Sequence, residues 1–113
     1  MNNLHAANTR RLVEAVLTIA GETDPALRHA VEAYTAELGG RPHEQAGKLP
    51  AELVEYANKV ALHAYKTTDE DIEALRQAGY SEDAFFEITL SAALGTGMAR
   101  LERGLAVLNG DER

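Results

Sequence analysis

Apolar residues recur at helical spacing along almost the whole chain, in segments separated by cap residues or glycines. The segment TDPALRHAVEAYTAELGG, residues 23–40, shows the pattern most fully. Asp24 is placed to cap a helix that has Pro25 at its first position, and Gly39 and Gly40 are placed to end it. No segment shows the alternation that is typical of a half-buried strand. The pattern predicts an all-α fold.

The same signals divide the rest of the chain and predict about five helices. The expected boundaries are Gly21 at the end of the first helix, Pro50 before the third, Thr68 and Gly79 around the fourth, and Ser81 and Gly110 around the fifth. Glu55 and Lys59 are expected to form an exposed i,i+4 pair on the third helix, within AELVEYANKVALHAY. We expect a single domain over residues 1–113, with an N-terminal helix pair at 1–40 and a helical core at 50–110. The segment 39–50 is the only long irregular stretch.

Composition excludes several classes of function. The chain has 113 residues, a net charge of −7 and no basic stripe, which disfavours a nucleic-acid partner. It has no cysteine, which excludes disulfides, thiolate catalysis and cysteine-bound metals. The N-terminal residues lack the apolar core of a signal peptide, and no apolar run is long enough for a membrane span. We therefore expect a cytoplasmic protein without a membrane partner.

Two glycines lie inside the last predicted helix, in SAALGTGMA at residues 91–99. Gly95 and Gly97 each cost about 1 kcal/mol of helix stability relative to alanine. Small residues there allow another helix to approach closely, either within the subunit or from a neighbouring subunit.

The second half of the chain carries a recognisable order of features. A short helix ends at Gly79, a capped SEDAFFEI start follows, and an alanine- and glycine-rich helix ends in MARLERGL. Over residues 50–108 this order resembles the carboxymuconolactone decarboxylase and alkylhydroperoxidase D-like (AhpD-like) family. The resemblance implies an all-helical homo-oligomer, a homotrimer or homohexamer, with a pocket near subunit contacts.

The resemblance also implies where a site would lie. In the peroxidase branch a Cys-x-x-Cys pair is followed four residues later by a histidine and preceded by a relay glutamate, and these positions fall on Ala64, Thr67, Asp71 and Glu52. Only the glutamate is retained. Without thiols, thiol peroxidase chemistry is excluded. The histidine of the decarboxylase branch also falls on Asp71, so that reaction lacks its usual acid/base group.

Three residues are the candidates for catalysis, and each has a structural alternative. Glu52 keeps the residue type of the family, but it also suits the start of any helix. Asp71 would serve as a base if burial raised its pKa, but it also completes a capping box with Thr68. His63 titrates near neutral pH, but a lone histidine at a helix end is usually structural. The expected pocket residues are Ala64, Tyr65, Lys66 and Thr67.

We expect no metal and no cofactor, because His5, His29, His43 and His63 show none of the paired spacings of metal sites. The leading hypothesis for function is a pocket that binds or transforms a small molecule without thiol chemistry. The alternative is a non-enzymatic oligomeric scaffold or interaction module. A further alternative is a decarboxylase or isomerase of a small carboxylic acid, for which Lys66, Arg76 or Arg100 would bind the anion.

Overall fold

The computed structural model describes residues 3–41 and 49–110. These residues form five α-helices and no strand, which confirms the predicted all-α class. The helices are α1 (Asn3–Thr18), α2 (Pro25–Leu38), α3 (Ala51–His63), α4 (Asp69–Gln77) and α5 (Glu82–Leu108), and a single 3-10 turn, Ala64–Lys66, follows α3. Residues 42–48 of the irregular stretch lie outside the described residues.

The predicted caps define the helix boundaries. The Asp24 carboxylate accepts a hydrogen bond from the Ala26 N–H at 2.9 Å, at the start of α2. Ser81 Oγ accepts from the Ala84 N–H at 3.1 Å, at the start of α5. Gly79 follows the end of α4 with a φ of 101°, a conformation that favours glycine. Local capping chemistry therefore sets where these helices begin and end.

The third helix differs from its prediction in two respects. It ends at His63, two residues earlier than the sequence pattern predicts, because the His63 backbone (φ −146°, ψ 54°) leaves the helical region. The expected pair between Glu55 and Lys59 is also not the main contact of Lys59. Lys59 contacts Asp71 of α4, with 2.7 Å between Nζ and Oδ1, and Glu55 acts on it only through a weaker electrostatic interaction. The stronger partner of Lys59 is therefore on the next helix.

Helices α2 and α5 pack most extensively, and Gly95 permits their close approach. A Cβ built at Gly95 would lie well inside 3.0 Å of both Thr35 Oγ1 and the Glu32 carbonyl oxygen. Thr96 Oγ1 donates to the Thr35 carbonyl at 3.1 Å and adds a buried polar contact between the two helices. Gly97 points elsewhere, and nothing lies within 4 Å of its built Cβ. Of the two glycines, Gly95 therefore serves a contact within the subunit.

The apolar core lies where α2, α3 and α4 meet α5. Six buried residues form it: Val31, Leu53, Tyr56, Leu75, Ile88 and Ala92. The rings of Tyr56 and Phe85 pack with their centroids 5.2 Å apart. Helix α1 contributes little to this core, since Leu17 is its one buried side chain between residues 7 and 18. The fold is therefore a four-helix core with α1 against its side.

Candidate functional site

The residues expected to line a pocket lie at the corner between α3 and α4. Ala64 and Lys66 are in the 3-10 turn, and the Thr67 N–H donates to the Ala64 carbonyl at 3.1 Å and closes it. His63, Ala64 and Lys66 are exposed, whereas Thr67 is half-buried. The side chain of Tyr65 lies outside the described part of the structure. None of these residues is among those that line the three clefts described below.

Asp71 is held as a structural carboxylate. Its Oδ2 accepts from the Thr68 N–H at 2.9 Å and its Oδ1 contacts Lys59 Nζ, while Thr68 Oγ1 accepts from the Asp71 N–H. The hydrogen bond from Lys59 and those from Thr68 lower the pKa of Asp71 below its ordinary value. Asp71 would need a raised pKa to act as a base near neutral pH, but its surroundings lower that pKa.

Glu52 lies at the other end of α3 from this corner. Its Oε1 accepts a hydrogen bond from the Tyr80 hydroxyl at 3.1 Å. Burial, followed by the nearby Glu52 carboxylate, raises the pKa of Tyr80. Because α3 is unbroken from residue 51 to 63, Glu52 is about 18 Å along the helix axis from Ala64. The subunit therefore does not bring Glu52 into one site with the α3–α4 corner.

A cleft of about 430 Å³ lies between α4 and the start of α5. Arg76 lines it and contacts Glu73 at 2.8 Å and Glu82 at 3.7 Å. Asp69 also lines the cleft, so its wall carries three acids and one base. This charge balance disfavours the binding of a small carboxylic acid by Arg76.

Arg28 and Glu87 form a polar centre beneath the α1–α2 turn that the sequence interpretation missed. Arg28 is 1% exposed, and it donates to the carbonyls of Val16, Ile19 and Thr23. The Glu87 carboxylate accepts from the Thr23 N–H at 2.8 Å and from the Thr23 hydroxyl. Arg28 Nε lies 4.0 Å from Glu87 Oε1 and is buried without a hydrogen bond among the described residues. The pair fastens the turn to α5.

The sequence contains a signal for this centre. Arg28 lies on the same stripe of α2 as Val31 and Thr35, at i, i+3 and i+7, so it faces the interior. The hydrogen bond from the Thr23 hydroxyl has the largest effect on Glu87 and lowers its pKa. Burial acts in the opposite direction, and the N–H groups of the turn lower the pKa further, so the net shift is downward. The arrangement is explained by the anchoring of α1, and it requires no ligand.

A second cleft, of about 280 Å³, separates α1 from α2 and α5. Its apolar wall comes from Val13, Leu17, Met98, Leu101 and Leu105. Its charged rim is largely paired. Arg41 contacts Glu32 at 2.9 Å and Glu102 at 3.0 Å, and His29 lies between the Pro25 carbonyl and Glu14. These two acceptors raise the pKa of His29. The cleft combines an apolar wall with a polar rim.

The outward side of α5 is apolar along most of its length. No charged residue occurs between Glu87 and Arg100. Phe86 is 64% exposed and Leu108 is 81% exposed. The exposed members of this surface, here called the outer face of α5, are Phe86, Ala93, Gly97, Leu101, Gly104 and Leu108. Since the opposite side of α5 forms the core, the helix is apolar on both sides, a pattern typical of a helix that is buried all round.

The outer face of α5 continues onto α1. Val16 and Ile19 line a cleft of about 250 Å³ together with Phe86 and Leu90. Leu12 and Ile19 are 65% and 66% exposed. A contiguous exposed apolar surface of this kind marks an interaction site more often than a free surface.

The described residues contain no group of three or more side chains that could hold a metal ion. Among the same residues, no helix combines the length and the apolar character needed to cross a membrane. Comparison with known proteins gives no similarity on which to assign a family: no family model, no curated protein and no solved structure matches the chain.

Proposed function

We propose that this protein is a non-enzymatic, self-associating helical module. The single observation that carries the proposal is that α5 is apolar on both sides, while the rest of the described chain covers only one of them. Covering the outer face of α5 would remove exposed leucine and phenylalanine side chains from water, each worth about 1.5–3 kcal/mol when fully buried. The resemblance to AhpD-like proteins also implies a homo-oligomer, a trimer or a hexamer.

The arrangement of the candidate catalytic residues supports an assembly role over catalysis. Glu52 and Asp71 are engaged at separate places, one by Tyr80 and the other by Lys59 and Thr68. The Glu52 contact holds the α4–α5 connection to α3, and the Lys59 contact holds the start of α4 to α3. Stabilising the helix junctions is sufficient to explain these residues.

Sedimentation analysis over a range of protein concentrations tests the proposal. The wild-type chain is expected to associate, and the double variant Leu101→Glu/Leu108→Glu is expected to be monomeric with unchanged helicity. Val107→Glu is the matched control, because Val107 is 61% exposed and adjacent to Leu108 but about 100° away around the helix. A wild-type chain that stays monomeric at the highest concentration, or a control that dissociates like the double variant, would refute the proposal.

A second candidate function is the binding of a small amphipathic molecule between α1, α2 and α5. The cleft of about 280 Å³ there supports it, because its apolar wall and charged rim would accommodate such a ligand. Native mass spectrometry of the purified protein, before and after denaturation, would detect a bound molecule as extra mass that is lost on unfolding. Its absence, together with no binding in a ligand screen, would count against this function.

The α3–α4 corner is tested separately as a small-molecule site. Asp71→Asn should alter binding or turnover if Asp71 and His63 act on a ligand at this corner, including a small carboxylic acid. Glu52→Gln should do so only if a second subunit brings its Glu52 to the corner. If neither variant changes binding or any activity found, this corner has only a structural role.

A further inference from the structure

The outer face of α5 carries leucines and glycines in a regular order. Each of these residues follows the one before it by 4, 3, 4, 3 and 4 positions in turn, which is the spacing of the core positions a and d of a heptad repeat. The residues are Leu90, Leu94, Gly97, Leu101, Gly104 and Leu108, of which Leu90 and Leu94 are half-buried at the edge of the outer face. Nothing lies within 4 Å of a Cβ built at Gly97 or at Gly104, so both glycines leave open depressions on the surface.

We propose that two copies of the chain pair through the outer faces of their α5 helices, antiparallel, about a two-fold axis that crosses the pair at the level of residue 99. This inference rests on the self-association proposed above and names its geometry. In this register the two residues of each facing pair lie equally far from residue 99, one before it and one after it. Leu94 faces Gly104 of the second copy, and Gly97 faces Leu101, so each inner leucine meets a glycine. Leu90 faces Leu108 at the two ends.

The order of the residues favours antiparallel over parallel pairing. In a parallel two-fold pair every residue would face its own copy, which sets Gly97 against Gly97 and Gly104 against Gly104. Two such layers would leave space unfilled, and unfilled space in an interface forfeits packing energy. In the antiparallel register a leucine fills each glycine depression. The antiparallel arrangement also sets the two helix dipoles in the favourable relative direction.

The charge nearest to the proposed axis is directed away from it. Arg100 would otherwise approach its own copy across the two-fold axis. Its Nη2 donates to the Ala61 carbonyl at 3.3 Å, at the end of α3 in the same subunit. Because no other charged residue occurs between Glu87 and Glu102, Arg100 is the one charged side chain of α5 near the centre of the pairing surface, and its contact with α3 draws it to the side.

The available area suits a modest but specific dimer. From Phe86 to Leu108 the outer face is about 33 Å long. With Leu12, Val16 and Ile19 of α1 beside it, each copy offers on the order of 500 Å² of largely apolar surface. Two copies together therefore reach roughly 1,000 Å², the lower end of specific interfaces. A homohexamer would contain three such pairs.

Disulfide trapping tests the geometry directly, because the wild-type chain has no cysteine. Single variants Leu90→Cys and Leu108→Cys are prepared with different tags, mixed and oxidised. A disulfide requires Cα atoms within about 7 Å. The antiparallel pair brings residue 90 next to residue 108 of the second copy, but holds the two copies of residue 108 about 27 Å apart.

Sedimentation of the same samples under reducing conditions separates the two proposals. Association with a strong 90–108 disulfide and little 108–108 disulfide supports the antiparallel pair. Association with the 108–108 disulfide, or with neither, overturns the geometry but leaves self-association in place. A monomer in every sample overturns both proposals.

A compensating pair of substitutions gives an independent check. Gly97→Leu places leucine against leucine in the central layers and is expected to weaken association at least tenfold. Gly97→Leu/Leu101→Gly restores one leucine and one glycine to each of those layers, so it should recover most of the loss. If the double variant associates no better than Gly97→Leu, the antiparallel register is wrong.

Discussion

Replacing Gly95 by alanine tests how closely α2 and α5 approach. Alanine normally stabilises a helix interior by about 1 kcal/mol relative to glycine. At residue 95, however, the new methyl group would lie within 3.0 Å of Thr35 Oγ1 and of the Glu32 carbonyl, and the carbonyl belongs to the α2 backbone. The helices must then separate, and overpacking of this kind costs about 1–3 kcal/mol. A cost near the top of that range, less the propensity gain, leaves a net destabilisation of about 2 kcal/mol.

Gly97→Ala is the matched control, two residues further along the same helix. Nothing lies within 4 Å of its built Cβ, so only the propensity gain of about 1 kcal/mol applies in the monomer. Thermal unfolding followed by circular dichroism, in samples dilute enough to be monomeric, should show a lower Tm for Gly95→Ala by about 8 °C and a higher Tm for Gly97→Ala by about 4 °C. Shifts of the same sign in both variants would refute the close approach at Gly95.

Three further substitutions test the polar contacts. The pKa of Glu87 in the folded protein is lowered from 4.5, so its carboxylate contributes stability above about pH 4.5 that is lost as the pH falls. Glu87→Gln should therefore make the free energy of unfolding less dependent on pH between about 5 and 3, and an unchanged dependence would contradict this role. Thr68→Ala removes the cap of α4 and should cost about 1 kcal/mol in urea unfolding, and an unchanged midpoint would contradict the capping box seen with Asp71. Arg28→Met leaves three carbonyls and Glu87 without their buried partner, so a loss on the order of 3 kcal/mol is expected, and a loss below about 1 kcal/mol would show that the centre does not anchor α1.

Helix positions followed from the sequence because local chemistry determines them. Asp24, Thr68 and Ser81 each accept a hydrogen bond from a backbone N–H in the first turn, as their residue types and positions predict. The end of α3 was less predictable. Its apolar pattern continues past residue 63, and the backbone turns there to direct α4 back along α3.

Contacts between helices were not predictable in the same way. Helical spacing placed Lys59 near Glu55, but the packing of α4 offers Asp71 as a partner, which also accepts the Thr68 N–H. Similarly, the sequence indicated that Gly95 and Gly97 would let another helix approach α5 closely. Only the packing of the helices shows that α2 approaches at Gly95 and not at Gly97. The expected pocket required Glu52 to reach the α3–α4 corner, and an unbroken helix separates them within the subunit.

The attachment of α1 at its C-terminal end determines how this helix unfolds. Arg28 holds the carbonyls of Val16 and Ile19, whereas no side chain from residue 7 to 16 is buried. Amide hydrogen exchange should therefore be graded along α1, fast in its first turns and slow near its end. Opening of the first turns would expose Met98 and Leu105 of α5 while the contact between α2 and α5 persists. The amount of apolar surface on α5 can thus change through local unfolding, at a free energy well below that of global unfolding.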